Sequence, residues 1–204
     1  MNLHFRKSSC IAIGAFNVYI IQPEWMAAKG FFDPDSEVSI ETKLDEPGFR
    51  FSQEGSTVRW VVTPTRIAVE TEDEGINCGA VIARILNLLP ETPITAVGNN
   101  SFFQVFDAPT PPSIPSPECE SAYNVTERVF HIGLQTGKTI FNLGLRYRPL
   151  ETELLINALR PISGEKSSLA ASQHANEFLA HRKQGIELVH QHFGDLPCST
   201  HSKH

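Results

Sequence analysis

Histidines near the C-terminus are the residues of this chain whose chemistry is best suited to binding a metal ion. Neutral imidazole and thiolate are preferred ligands of Zn²⁺, and one stretch contains His174, His181, His190, Cys198, His192, His201 and His204. In one continuous helix, His174 and His181 would stand about 10 Å apart along the axis, too far to share an ion. A site of His192, Cys198, His201 and His204 is sterically possible, but a terminal segment lacks the hydrogen bonds that orient ligands. We therefore expect no metal and no cofactor.

One segment, from Gly133 to Thr139, resembles the phosphate-binding loop of nucleotide enzymes. That loop has four residues between its glycines and a helix behind it, whose amide groups hold the phosphate. Here three residues separate Gly133 from Gly137, and the residues after Thr139 alternate like a strand. The segment therefore predicts a β-hairpin, with glycine at a turn position that needs a positive φ.

The sequence gives little support for a catalytic nucleophile or for a catalytic acid–base pair. It contains no Gly-x-Ser-x-Gly motif, and its cysteines share no spacing, which is typical of reduced thiols in a cytosolic protein. His131 lies on a predicted strand, and we interpret it as a satisfied sheet residue. Glu151 and Glu153 share a strand face, where a hydrolase could use them, but paired surface carboxylates are far commoner. The sequence therefore leans against an enzyme.

Arginines form the other group with binding chemistry. They lie opposite the apolar positions of predicted strands, on a sheet face that could receive a peptide, a carboxylate ligand or a partner subunit. The predicted binding residues are Arg50, Arg59, Arg66, Asn142, Arg146 and Arg148. A merely solvated sheet face is the alternative. Arg182, in the apolar stripe of the last helix, either lays its stem along the core or pairs across an interface with a second subunit.

The elements that position these residues repeat one pattern, three short strands and then a helix. In the first pass, from Phe49 to Leu89, apolar and polar residues alternate over three runs before helical spacing begins at Ile76. The second pass, from Val129 to Phe193, ends in a helix that starts near Ser168 and is roughly 39 Å long. The pattern predicts an α+β fold: one large, twisted antiparallel sheet from two βββα halves, with two main helices on one face.

The remaining segments set the domain boundaries. Ile11 to Ile21 predicts a central strand, residues 31–46 read as irregular, and Asn99-Asn100 interrupts a strand pattern that runs to Phe106. Five prolines between Pro109 and Pro117 indicate a stiff connector. We expect a single domain over residues 1–194, with halves at about 1–106 and 123–194, a connector at 107–122 and a flexible tail at 195–204.

Composition limits the classes of partner. The chain of 204 residues is 41% hydrophobic and 20% charged, as is ordinary for a globular protein. Its net charge of −6 argues against direct binding of nucleic acid. No apolar run approaches the ~20 residues of a membrane helix, and Asn17 interrupts the stretch that most resembles a signal peptide. We expect a cytoplasmic protein that does not act at a membrane.

Two segments carry a resemblance to a protein family. The first contains Phe16-Asn17, Gln22-Pro23-Glu24-Trp25 and Ala28-Lys29-Gly30; the second runs from Leu89-Pro90-Glu91-Thr92-Pro93-Ile94 to Ala96, Gly98 and Asn99. Together they resemble uncharacterised bacterial proteins of roughly this length, with an FN…QPxW start and a central LxxTPIxAxGxN segment. The resemblance covers about the first half of the chain and implies no activity.

The absence of a convincing catalytic motif favours a non-enzymatic binding or assembly protein. Such a protein would act as a homo-oligomer or as a subunit of a bacterial multi-protein system, and would recognise its partner through the arginine-containing sheet face. The alternative is an enzyme or small-ligand protein with a polar pocket between sheet and helices. That alternative predicts buried titratable groups with displaced pKa values.

Overall fold

The computed structural model describes residues 1–42, 48–108 and 127–193, in which nine strands form a single antiparallel sheet. The strands are β1 Asn2–Gly14, β2 Val38–Thr42, β3 Phe49–Gln53, β4 Val58–Thr63, β5 Arg66–Thr71, β6 Ile94–Phe106, β7 Arg128–Thr136, β8 Thr139–Tyr147 and β9 Thr152–Pro161. The helices are α1 Pro23–Ala28, α2 Cys78–Leu88, α3 Ser167–Asn176 and α4 Phe178–Phe193.

The strand order, β2-β3-β4-β5-β1-β6-β9-β8-β7, confirms the predicted α+β sheet. Strands β2 to β5 form a meander whose last strand pairs with the long strand β1, and β7 to β9 form a meander whose last strand pairs with the long strand β6. The two long strands pair with each other at the centre of the sheet. The division into a single domain with a connector at 107–122 stays a prediction, because most of that connector and the tail at 195–204 lie outside the described residues.

Two predicted strands have different bounds in the structure. The first strand covers Asn2–Gly14 instead of Ile11 to Ile21, because the chain leaves the sheet at Gly14, whose amide donates to Thr65. Ile21 is still fully buried, in a turn and not in the sheet. The last strand of the first half, β6, runs through Asn99-Asn100 without interruption, because both residues keep their ladder pairs.

Two further predictions concern residues 31–46, where the structure requires a correction, and the segment from Gly133 to Thr139, where the prediction is confirmed. Residues 31–46, expected to be irregular, include the edge strand β2, which pairs with β3. The segment that resembles a phosphate loop is a hairpin: Thr136 pairs with Thr139, and Gly137 has a φ of 59°. A phosphate site would require a helix directly after the loop, and strand β8 occupies that place.

The helices cover one face of the sheet. Residues of β1, β4 and β5 that alternate along each strand bury their side chains with Ile82, Ile85 and Leu86 of α2, and those of β8 and β9 bury theirs with Val189 and Phe193 of α4. We call this the helix face and the opposite side the open face. None of the helices in the described residues has the length and apolar content that crossing a bilayer requires.

The single C-terminal helix that the sequence predicts is divided into two helices in the structure. Instead of one helix from Ser168 to Phe193, α3 ends at Asn176 and α4 begins at Phe178, with Glu177 as the joint. The break lets α3 follow α2 while α4 follows β9. Gly79 makes the contact between α2 and α3 possible, because a Cβ there would overlap the carbonyl oxygen of Ala175.

Candidate functional site

Asn99 and Asn100, adjacent on β6, direct their side chains to opposite faces of the sheet. This follows from the two-residue repeat of a strand. Asn99 is buried on the helix face and contacts His181, whereas Asn100 is half-buried on the open face and contacts Ser9. Each asparagine is the centre of a group of polar residues, and these two groups are the candidate sites.

A row of mainly polar residues crosses the open face at one register position of all nine strands. From β2 to β7 the paired residues are Ser39, Ser52, Arg59, Glu70, Ser9, Asn100, Asn157, Asn142 and Gly133. We call this set the polar row. A strand face that only needs solvation has no reason to align amides and hydroxyls in register, so the row indicates a surface with directed hydrogen-bonding groups.

Four neighbours in the polar row are joined by hydrogen bonds. The side-chain amide of Asn142 donates to Asn157 over 2.9 Å, and that of Asn157 donates to Asn100 over 2.7 Å. The amide of Asn100 in turn donates to the Ser9 hydroxyl over 3.1 Å. Because each amide has two N–H groups and a carbonyl with two lone pairs, this chain of bonds leaves further donors and acceptors for a ligand.

The predicted arginines of the first half lie on the open face and are exposed. Arg59 belongs to the polar row opposite Glu70, and Arg50 lies opposite Glu41 on β2. Arg66 pairs with Ile13 at the end of β5. A surface depression of about 290 Å³ is lined by Ser39, Glu41, Arg50, Phe51, Ser52 and Arg59. Two guanidinium groups therefore border one small concavity, a geometry suited to a carboxylate.

The predicted residues of the second half divide into two groups. Asn142 is part of the polar row, whereas Arg146 and Arg148 lie in a network of ion pairs with Glu127, Glu151 and Glu153, at N···O distances of 3.0 to 3.7 Å. The hydrogen bonds that Arg148 donates to Glu127 and Glu151 raise its pKa. The structure therefore does not unite the six residues in one site, and Glu151 and Glu153 serve as partners of arginine.

On the helix face, Asn99 lies beside a buried pair of histidines at the α3–α4 joint. The amide nitrogen of Asn99 donates to the His174 carbonyl over 3.2 Å and to Nδ1 of His181 over 2.9 Å. Nε2 of His181 is 3.3 Å from Oε2 of Glu177, and Nδ1 of His174 is 3.8 Å from the same oxygen. Nε2 of His174 faces the Ala158 carbonyl at 3.4 Å. We call His174, Glu177 and His181 the joint cluster.

Electrostatics keep both histidines of the joint cluster neutral. Burial is the main cause that lowers the pKa of His174 to about 4, with His181 and Arg160 as further positive neighbours. Burial also lowers the pKa of His181, although Glu177 opposes the shift. Neutral imidazole is the form that accepts hydrogen bonds and binds metal ions.

Arg182 is buried next to the joint cluster, with partners from its own chain. Its Nε donates to the Ser101 hydroxyl over 3.3 Å, and Nη1 donates to the Glu74 carbonyl over 3.2 Å. The guanidinium also lies over the rings of Phe5 and Phe178. We expected either a packed stem or an ion pair with a second subunit; the structure shows a packed and internally bonded side chain, and the intersubunit pairing stays untested.

The described cysteines, Cys10 and Cys78, are both buried and reduced. Burial raises the pKa of Cys78 to about 11 and raises that of Cys10 as well. A thiol with such a pKa is not ionised near neutral pH and is a poor nucleophile. His131 lies on the open face against Gly144, not beside a thiol. These two cysteines therefore fit structural roles.

Sequence reasoning missed the joint cluster although it examined both histidines. The estimate of about 10 Å assumed a continuous helix, and the break at Glu177 was not predicted. The pattern His-x-x-Glu-x-x-x-His, with a buried polar Asn99 on a central strand, was the available signal. The alternative hypothesis predicts displaced pKa values between helices and sheet, but for a pocket that uses Glu151, Glu153, His131 or the arginines and not these histidines.

Comparison with known proteins adds no relative to this picture: no family model matches the chain, and none of the curated proteins matches it significantly. The functional argument therefore depends on the polar row and the joint cluster.

Proposed function

We propose that this chain is a non-enzymatic binding or assembly protein, which recognises a protein partner through the open face of its sheet. The observation that carries the proposal is the polar row, which spans all nine strands on the face without helices in the described residues. On the resemblance of its N-terminal and central segments we also propose a bacterial protein, and on its scattered cysteines a cytoplasmic one. The open face motivates a role as an oligomer or as a subunit of a larger system.

The register position next to the polar row is mainly apolar. It holds Val61, Ala68, Ile11, Gly98 and Leu159, of which Ile11 and Leu159 are half-buried and the other three are buried. Protein interfaces combine an apolar centre with polar and arginine-rich surroundings, and this strip lies directly beside the row. The combination distinguishes the open face from a sheet surface that carries only charged side chains.

The chemistry of the first half specifies the partner further. Arg50 and Arg59 border the same depression, and a guanidinium binds a carboxylate with two parallel hydrogen bonds. We infer a partner that inserts an acidic side chain into this depression and places backbone or side-chain amides over Asn100 and Asn157. Glu41 lines the same depression, which favours a single carboxylate between the two arginines over a strongly acidic segment.

Charge reversal tests this proposal. The wild-type chain is used to capture its partner from cells of its source, and binding of that purified partner is then measured for Arg50→Glu/Arg59→Glu. We expect at least a 10-fold loss of affinity, because a buried carboxylate would face two like charges. The matched control is Lys29→Glu/Lys183→Glu, which makes the same change in net charge at exposed positions outside the open face.

Equal binding by both double variants would contradict the proposal, as would a captured partner that binds only through the helix face. Self-association, followed by light scattering on the same variants, distinguishes a second copy of the chain from a different protein. The thermal unfolding temperature should stay within a few degrees of wild type in both variants, because all four side chains are exposed.

A further inference from the structure

Nδ1 of His174 is a buried nitrogen without a hydrogen-bond partner among the described residues. The residue has no solvent exposure, and its Nε2, which points at the Ala158 carbonyl, must carry the ring proton. Nδ1 therefore presents a lone pair, and the nearest charged atom is a carboxylate oxygen of Glu177 at 3.8 Å. Two acceptor atoms therefore face each other at a distance that a cation could bridge.

The third atom of the joint cluster converges on the same point. Nε2 of His181 lies 3.3 Å from the Glu177 oxygen, and the three potential ligand atoms all lie within 4.8 Å of one another. Ligands of tetrahedral zinc, with bonds of about 2.0 to 2.2 Å, are roughly 3.3 to 3.6 Å apart. The two nitrogen–oxygen distances, 3.3 and 3.8 Å, already fit or nearly fit this spacing. The remaining contraction, about 1 Å at most, must bring the nitrogens of the two imidazole rings closer together.

We propose that Nδ1 of His174, a carboxylate oxygen of Glu177 and Nε2 of His181 form a binding site for a divalent transition-metal ion such as Zn²⁺. Two imidazoles and one carboxylate form an established ligand type for zinc, with a fourth position left for water. The inference is independent of the proposed partner binding on the open face.

The surroundings of the joint cluster supply part of the outer shell that metal-bound histidines require. The Nε2–H of His174 already points at a backbone carbonyl, which is the usual second partner of a ligating imidazole. For His181 to bind through Nε2, its proton must move to Nδ1 and find an acceptor. Oδ1 of Asn99 is buried without a partner, and a half-turn of the carboxamide brings it towards Nδ1.

The position of the site indicates a structural role. His174 lies in the last turn of α3, Glu177 is the joint, and His181 lies in the first turns of α4. An ion bound to all three would fix the angle between the helices and hold them against β6 and β9. Arg160 opposes binding, since its positive charge disfavours a further cation near both histidines.

Zinc titration of the full-length chain tests the site. The C-terminal tail contains competing ligands, so each measurement uses the background Cys198→Ser/His201→Ala/His204→Ala. We expect one Zn²⁺ per chain by isothermal titration calorimetry, and a loss of affinity of at least 10-fold in Glu177→Gln. Glu187→Gln, an equally exposed carboxylate of α4, is the matched control and should bind like its parent.

Cobalt gives a second readout. Co²⁺ in the joint cluster should show the visible bands of a four-coordinate nitrogen and oxygen site, without a thiolate charge-transfer band. Zinc binding that disappears with the tail substitutions would overturn the proposal, and so would equal affinity of Glu177→Gln and Glu187→Gln. Metal-free thermal melts of both variants serve to show that any difference in affinity does not come from unfolding.

Discussion

The imidazole rings of His174 and His181 lie 4.4 Å apart, centroid to centroid, although seven residues separate them in sequence. A straight helix would hold them about 10 Å apart along its axis. The helix break at Glu177 removes this separation and brings the His174 carbonyl and the His181 ring to Asn99 on the central strand β6. A local interruption of one helix thus creates the most concentrated group of buried polar side chains on the helix face.

Arg182 is predicted to stabilise the fold from inside a single chain. Arg182→Ala removes the hydrogen bonds to Ser101 and to the Glu74 carbonyl and leaves a cavity beside two aromatic rings. We expect a loss of about 3 kcal/mol in the free energy of unfolding, measured by urea denaturation. Arg182→Met should lose less, since it keeps most of the volume and buries no charge.

The exposed neighbour Lys183→Ala is the control for Arg182 and should change stability by less than about 0.5 kcal/mol. If Arg182→Ala instead leaves the unfolding free energy unchanged and dissociates an oligomer, then the intersubunit ion pair expected from the sequence is the correct interpretation.

The hydrogen bonds of the polar row predict a graded effect of two substitutions. Asn157 both donates to Asn100 and accepts from Asn142, whereas Asn142 has one of these bonds. At about 1 kcal/mol for each lost bond, Asn157→Ala should destabilise by about 2 kcal/mol and Asn142→Ala by about 1 kcal/mol. Equal effects of the two variants in chemical denaturation would show that the row is not a connected set.

Close packing of α2 against α3 requires Gly79. In Gly79→Ala the new methyl group overlaps the Ala175 carbonyl and the Cβ of Phe178, so the helices must separate at a cost of about 1 to 3 kcal/mol. Gly133→Ala, where the nearest atom to the new Cβ is 3.7 Å away, is the control. A Gly79→Ala protein as stable as wild type in thermal melts would mean that the two helices pack less tightly.

Stability should fall in alkaline solution because of Cys78. The folded pKa is about 11 against an ordinary value of 9.0, so the unfolded thiol ionises first. The stabilising contribution is complete well below pH 9 and is lost as pH rises through 11, a total change of about 3 kcal/mol.

The difference in unfolding free energy between wild type and Cys78→Ala should therefore shrink by about 2 kcal/mol, the larger part of that total, between pH 9 and pH 11. The comparison cancels the titration of groups that do not interact with Cys78; Cys10, whose pKa Cys78 helps to raise, is the exception. A difference that stays constant over this range would show that the thiol is not held neutral by burial.

The sequence predicts the sheet well because alternation is a local signal. Val58, Trp60 and Val62 identify β4 and its buried side from six residues, and one residue of shift would expose the entire apolar set. The one-sided placement of helices follows from the same pattern. The start of β1 was harder, since Ser8 and Ser9 are buried polar residues whose partners lie on other elements.

The candidate sites depend on contacts that no local pattern contains. The polar row requires the register of eight strand pairs, and Asn100 and Asn157 are 57 residues apart in the chain. The joint cluster requires a helix break at Glu177, where packing changes from α2 to β9. Arg146 and Arg148 appeared suitable for ligand binding until the structure placed three carboxylates beside them.

Side-chain amide signals of asparagine give the most direct test of the account, because Asn99 and Asn100 are adjacent but report on opposite faces. Titration of ¹⁵N-labelled protein with its captured partner should shift or broaden the side-chain amide resonances of Asn100, Asn142 and Asn157 and leave that of Asn99 unchanged. Perturbation of Asn99 alone, or of none of the four at saturating partner, would contradict recognition through the open face.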